Sequence, residues 1–258
     1  MSESELIQVS KSGGVMEISI QRPDRKNALT HAMYAAMNAA LVTAEQTPAT
    51  RVVLITGTAD CFTAGNDMVD FLSNPPEGRE APVMCFLRQL VEMKKPVVAA
   101  VNGAAVGVGT TMLLHCDLVY VARSAKLQMP FASLGLCPEA ASSMLLPMIM
   151  GHQRAAELLL LGTTISGEEA VRLGIANQLA EDAEYLLLAR EKALQLAAQP
   201  AAAVRMTKQL LKAPYLDQLK SHMQVEGDLF FQRLSSPEAK EAMSAFMEKR
   251  KPDFSSFS

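Results

Sequence analysis

Polar and apolar residues alternate over Val15–Ile20, whereas Val52–Ile55 and Val97–Val101 are unbroken apolar runs rich in valine. Period-two alternation marks a strand with one wet face. A short apolar run ended by glycine or proline marks a strand covered on both faces. Residues 6–20 therefore read as a strand pair joined through Ser10-Lys11-Ser12-Gly13-Gly14, with further strands over 51–57, 96–101 and 118–122. Between them Thr30 is placed to cap a helix over 31–46, and another begins within 66–74. The loop Asn74-Pro75-Pro76-Glu77-Gly78 then precedes a helix over 81–93, and Thr110 to His115 forms a short one. The recurrence of strand, turn and helix predicts an α/β fold with helices covering parallel sheets.

From residue 151 the pattern is helical. Ser166 and Glu169 have capping-box spacing, and Ser236 precedes Pro237 at a helix start. Helices are expected near 181–198, 201–211, 214–233 and 237–249. The alanine-rich stretch Ala197–Ala203 divides a core of residues 1–198 from a helical segment of 199–258.

Composition narrows the function. The 258 residues fit one α/β domain with an appendage, or two small domains. A net charge of −3 without long runs of one sign argues against a nucleic-acid surface. Arg22, Arg25 and Lys26 still form a local cluster suited to an anionic ligand. Cys61, Cys85, Cys116 and Cys137 are scattered without C-x-x-C spacing, the pattern of reduced, buried thiols. No apolar stretch is long enough to span a membrane, and the acidic start lacks a secretory pattern. The Ser255–Ser258 ending matches no peroxisomal address, so a cytoplasmic location is expected. There is no nucleophile elbow, phosphate-binding loop or metal-ligand cluster. His31, His115, His152 and His222 show no triad spacing, and His115 reads as a structural residue at a helix-to-strand junction.

Two glycine-bearing turns carry the candidate chemistry: Phe62–Asp67, and Gly103–Gly109 with Gly107 and Gly109 flanking Val108. Each follows a strand and precedes a helix, so the N–H groups of Asn66 and Val108 can act as unpaired donors to a developing oxyanion. Either turn alone could equally serve shape. The second is not a dinucleotide loop, because Met112 replaces the third glycine of G-x-G-x-x-G. Glu139, alone in an apolar stretch, is either a general base or a charge complementing the dipole of a helix start. Burial would raise its pKa and a helix N-terminus would lower it, which leaves the direction open.

Four segments, Arg22–Leu29, Phe62–Met68, Val101–Gly109 and Phe246–Phe254, occur in an order and spacing that resembles the crotonase superfamily, the enoyl-CoA hydratase/isomerase group. The resemblance implies a spiral of ββα units, a C-terminal helical segment used in trimerisation, and an acyl-CoA thioester substrate. Coenzyme A would be part of that substrate, with no separate cofactor. A homotrimer or a dimer of trimers is implied. By position the oxyanion donors fall on Asn66 and Val108; relatives often carry glycine at the second, so Val108 narrows the space beside it. Implied acyl-CoA contacts are Lys26, Ala28, Ala64, Asp67, Met68, Gly107 and Phe131, with Phe246 and Lys249 from the tail. The two water-activating glutamates of hydratases fall on Thr111 and Phe131, which disfavours hydration by that route. Pro138–Ser143 instead resembles the segment carrying the single glutamate of Δ3,Δ2-enoyl-CoA isomerases, and Gly65–Phe71 with Pro75–Gly78 is similar to their peroxisomal-type branch. A hydratase or other thioester-processing crotonase is the nearest alternative, and a catalytically silent acyl-CoA-binding protein a more distant one.

Overall fold

A computed structural model describes residues 6–58, 60–74 and 78–257. Of the predicted loop after Asn74, residues 75–77 fall outside this description, as do the first five residues.

Strands β1 (Ile7–Ser12) and β2 (Val15–Ile20) form the expected antiparallel pair, turning at Gly13-Gly14. Next to β2 lie β3 (Val52–Thr56), β5 (Val97–Val101), β7 (Leu118–Ala122) and β10 (Gln178–Ala180), all parallel, in one six-stranded sheet. A second sheet runs β4 (Cys61–Thr63), β6 (Ala104–Val106), β8 (Lys126–Gln128) and β9 (Ile165–Ser166). Three consecutive chain segments thus place one strand in each sheet: β3 then β4, β5 then β6, β7 then β8. Both sheets add these strands in the same order, in parallel. The chain advances as a spiral, each strand pair being followed by helical structure.

The helices are α1 (His31–Gln46), α2 (Met68–Ser73), α3 (Pro82–Glu92), α4 (Val108–Thr111), α5 (Ser142–Met150), α6 (His152–Leu161), α7 (Gly167–Arg172), α8 (Tyr185–Ala198), α9 (Ala201–Lys212), α10 (Leu216–Leu234) and α11 (Pro237–Met247). Thr30 caps α1 by accepting a hydrogen bond from the Met33 amide, and the Ser166–Glu169 capping box forms at α7. The apolar runs are explained by two-sided burial. Val53 and Ile55 join the main core beneath α1 and α3, while Val52 and Leu54 face Tyr185, Ala189 and Ala193 of α8. Leu219, Met223 and Phe230 of α10 belong to the main core too, so the C-terminal helices fold back over the spiral.

Three expectations need correction. The chain after residue 151 is not wholly helical: β9 and β10 close the two sheets. The helix near Asn66 begins at Met68, because Asp67 and not Asn66 accepts the first-turn amides of Val69 and Asp70. The short helix begins at Val108 and tightens to a 3-10 turn over Met112–His115. Strands of two or three residues lack enough pattern to reveal a period, so the small sheet is silent in the sequence. Among the described residues no helix is long and apolar enough to cross a membrane.

Candidate active site

The small sheet brings the two glycine-bearing turns together. β4 and β6 pair in parallel through Cys61–Ala104 and Thr63–Ala105, so the turns leave the same edge side by side. They touch: a Cβ on Gly65, whose φ is +91°, would lie 2.8 Å from the Val106 carbonyl oxygen. No other residue fits there. Gly107, at φ +56°, turns the chain into α4, leaving Val108 as its first residue. Among the described residues, neither the Asn66 nor the Val108 amide donates a hydrogen bond within the chain. Both residues line one cavity of about 620 Å³. The Asn66 backbone is fixed from both sides, since Leu29 N–H donates to Gly65 O and Asp67 N–H to Leu29 O. Its side-chain oxygen accepts a 2.5 Å hydrogen bond from the buried Tyr34 hydroxyl.

Glu139 stands on the wall of the same cavity, only 7% exposed. Burial pushes its pKa up to about 7; the nearby Glu226 carboxylate adds to the rise, and a 3.4 Å hydrogen bond from the Thr111 hydroxyl opposes it. The open direction is thereby resolved upward. The helix-dipole role is not what the structure provides, because α5 starts three residues later, at Ser142. Ala140 and Ala141 intervene, both left-handed at φ +57° and +56°. Such a conformation costs an L-residue roughly 1–2 kcal/mol, so its surroundings must enforce it. His115, buried at the end of its 3-10 turn, donates from Nε2 to the Ala140 carbonyl at 2.8 Å. Burial and the charges of Lys212 and Lys208 hold its pKa down, at about 4, so the ring is neutral. The structural role expected of His115 thus extends to bracing the bend that follows Glu139.

Lys26, Ala28, Ala64, Asp67, Met68, Gly107, Phe131 and Phe246 all line the cavity, with Arg25 beside Lys26 at the mouth. Arg22 is drawn away from a ligand role: it donates to Asp67 at 2.6 Å and to the Ala28 carbonyl at 2.9 Å. Burial tends to raise the Asp67 pKa. The α2 amides and the Arg22 guanidinium outweigh it and hold that carboxyl below its usual range. Lys249 is the exception; it lies outside the cavity walls, exposed just beyond α11. Phe131 packs edge-on to Phe230 of α10 at 6.4 Å, which closes the apolar end.

Sequence reasoning missed Tyr34, Thr111 as a partner of Glu139, and Glu226. Tyr34 gave no signal among the apolar positions of α1. Glu226 did give one: with Leu219, Met223 and Phe230 it follows helical spacing, an acid placed on a buried stripe.

The family model for enoyl-CoA hydratase/isomerase matches residues 10–256. The chain belongs to this family, the crotonase superfamily, and has its fold. It is 35% identical to the 1,2-epoxyphenylacetyl-CoA isomerase of Escherichia coli, over 93% of this chain and 95% of that one. It is 32% identical to rat enoyl-CoA delta isomerase 2 over 96% of its own length, spanning 65% of that longer protein. Other relatives are named as hydratases. Among solved structures, Pseudomonas aeruginosa OdaA is 52% identical with a TM-score of 0.92, over 94% of this chain and 99% of that one.

Proposed function

We propose that this enzyme moves a double bond from C3–C4 to C2–C3 of an acyl-CoA, as a Δ3,Δ2-enoyl-CoA isomerase of fatty acid oxidation. The carrying observation is that, among the described residues, two acids line the cavity and one of them is poised for proton transfer. Asp67 is held as a carboxylate by Arg22 and the α2 amides, whereas Glu139 is buried with a pKa near neutrality.

The Glu139 carboxylate takes a proton from C2, which the thioester carbonyl acidifies. The electrons of that C–H bond delocalise over a dienolate, whose oxygen rests on the Asn66 and Val108 amides. Glu139 then delivers the same proton to C4, and the double bond settles in conjugation with the thioester. One carboxyl suffices because C2 and C4 lie on one face of the bound chain. Each amide donor should contribute about 3–4 kcal/mol of transition-state stabilisation. Hydration in the usual manner needs two acids on one water, and the corresponding positions hold Thr111 and Phe131. Thr111 instead hydrogen-bonds Glu139.

The thioester's coenzyme A is read onto Lys26, Ala28, Ala64, Asp67 and Met68, with Gly107 and Phe131 along the acyl side and Phe246 and Lys249 at the nucleotide end. Because Lys249 is off the cavity wall, its contact is assigned to a neighbouring subunit's ligand. Assembly as a trimer or pair of trimers suits the exposed Met206, Leu210 and Leu211 of α9.

The test is product analysis with cis- and trans-3-enoyl-CoA beside trans-2-enoyl-CoA. The reading expects both 3-enoyl thioesters to become the 2-enoyl thioester, and negligible hydration of the latter. Rapid loss of the conjugated absorbance of added 2-enoyl-CoA would overturn it in favour of a hydratase.

A further inference from the structure

Glu226 is a second buried acid close to the base but absent from the cavity wall. It sits on α10 and is 5% exposed. Its Oε1 accepts hydrogen bonds from the Ser143 amide at 2.9 Å and the Ser143 hydroxyl at 2.5 Å. Those groups belong to the first turn of α5, whose own capping position is Ala141 and offers no side-chain acceptor. A carboxylate from α10 therefore does for α5 what a local serine or aspartate would normally do. The helix start it holds follows directly on the left-handed Ala140–Ala141 bend that presents Glu139.

We propose that Glu226 is a positioning residue for the Glu139 base, holding the strained Ala140–Ala141 bend through Ser143 and setting a second buried acid behind the base. This rests on Glu139 being the base. It assigns Glu226 no contact with substrate.

The groups around the two acids set the sign. Glu139 is faced by the Thr111 hydroxyl from α4, by Tyr34 from α1, by Cys137 and by Glu226. Of these, the Glu226 charge raises Glu139 and the Thr111 hydrogen bond lowers it. Glu226 is itself faced by Ser143, the Ala141 amide, Cys137 and His222 one turn earlier, all but the thiol favouring its ionised form against burial. Burial is the larger influence and still carries the Glu226 carboxyl upward, and the Glu226 charge in turn raises Glu139. The Ser143–His222–Glu226 cluster is not a nucleophilic triad. His222 Nε2 meets both the Ser143 hydroxyl, at 2.8 Å, and the acid, at 3.5 Å, so no relay runs across the ring.

Two variants separate charge from bracing. Glu226→Gln keeps an oxygen for the Ser143 amide and removes the charge. In protein labelled with 13C at glutamate side-chain carboxyls, the Glu139 signal, assigned by its loss in Glu139→Gln, is followed against pH. Its midpoint should fall by about 0.5 pH unit or more in Glu226→Gln, with Ser143 amide exchange protection retained. An unmoved midpoint overturns the charge role. Glu226→Ala should abolish the Ser143 protection, and its persistence overturns the bracing role. Should Glu226→Gln fail to fold, Glu226→Ala also removes the charge; the Glu139 midpoint must then fall in that variant, and a stationary one counts against the proposal. The titration needs no turnover, so failure of the isomerase reading, seen as wild-type protein inert toward 3-enoyl-CoA, is a separate result.

Discussion

A carboxyl sealed from water accepts a proton from carbon only in its ionised form, so in the proposed reaction the raised pKa of Glu139 sets the acid side of the rate profile. kcat/KM for 3-enoyl-CoA should be half-maximal near the Glu139 pKa of about 7 and fall about tenfold per pH unit below it. The same shift has a cost in stability. The folded protein holds this proton more tightly than the unfolded chain, whose glutamate titrates near 4.5. The group's stabilising effect is therefore complete below 4.5 and is lost as pH rises through 7. At pH 8, Glu139→Gln should raise unfolding stability by about 3 kcal/mol, measurable by denaturant titration. An unchanged or lower stability would contradict the burial argument. At this scale the sequence was informative about identity but not environment. Glu139, Asn66 and Val108 could be singled out because an acid in an apolar stretch and glycines after strands are local signals. Tyr34 and Glu226 act from α1 and α10, far along the chain, and only folding brings them to the site.

Among the elements, α2 depends on a single side chain at its start. Asp67 caps it through the Val69 and Asp70 amides and ties it to Arg22, and Asp67 and Met68 both line the cavity. Asp67→Ala should cost about 1–2 kcal/mol of stability, speed amide exchange across Met68–Ser73, and raise KM for the thioester more than it lowers kcat. Exchange and KM both unchanged would show that α2 is held by other contacts. The starts of the strongly capped helices α1, α7 and α11 were legible because Thr30, Ser166 and Ser236 act on neighbours three positions away. The small sheet was not legible. Its strands are two or three residues long, held by pairing across the fold and not by local pattern.

For the molecule as a whole, two sheets growing in step explain why backbone amides, and not side chains, can make the cradle. Each turn of the spiral ends at the same edge, and β4 and β6 deliver Asn66 and Val108 to one place. The tail then closes the apolar end, with Phe230 of α10 on Phe131. α9 leaves Met206, Leu210 and Leu211 between 63% and 68% exposed, an apolar face that self-association would cover. Sedimentation should give a mass near three or six times the 27.8 kDa of the chain, and a monomer at micromolar concentration would contradict that assembly.

In the proposed reaction one buried carboxyl works against two main-chain amides. That arrangement is tested most directly by single-turnover conversion of trans-3-enoyl-CoA to the conjugated 2-enoyl thioester in wild-type protein and in Glu139→Gln. The expected result is a rate loss of about 10³-fold or more in the variant, with CoA-ester affinity nearly intact. Turnover at close to the wild-type rate in Glu139→Gln would contradict it.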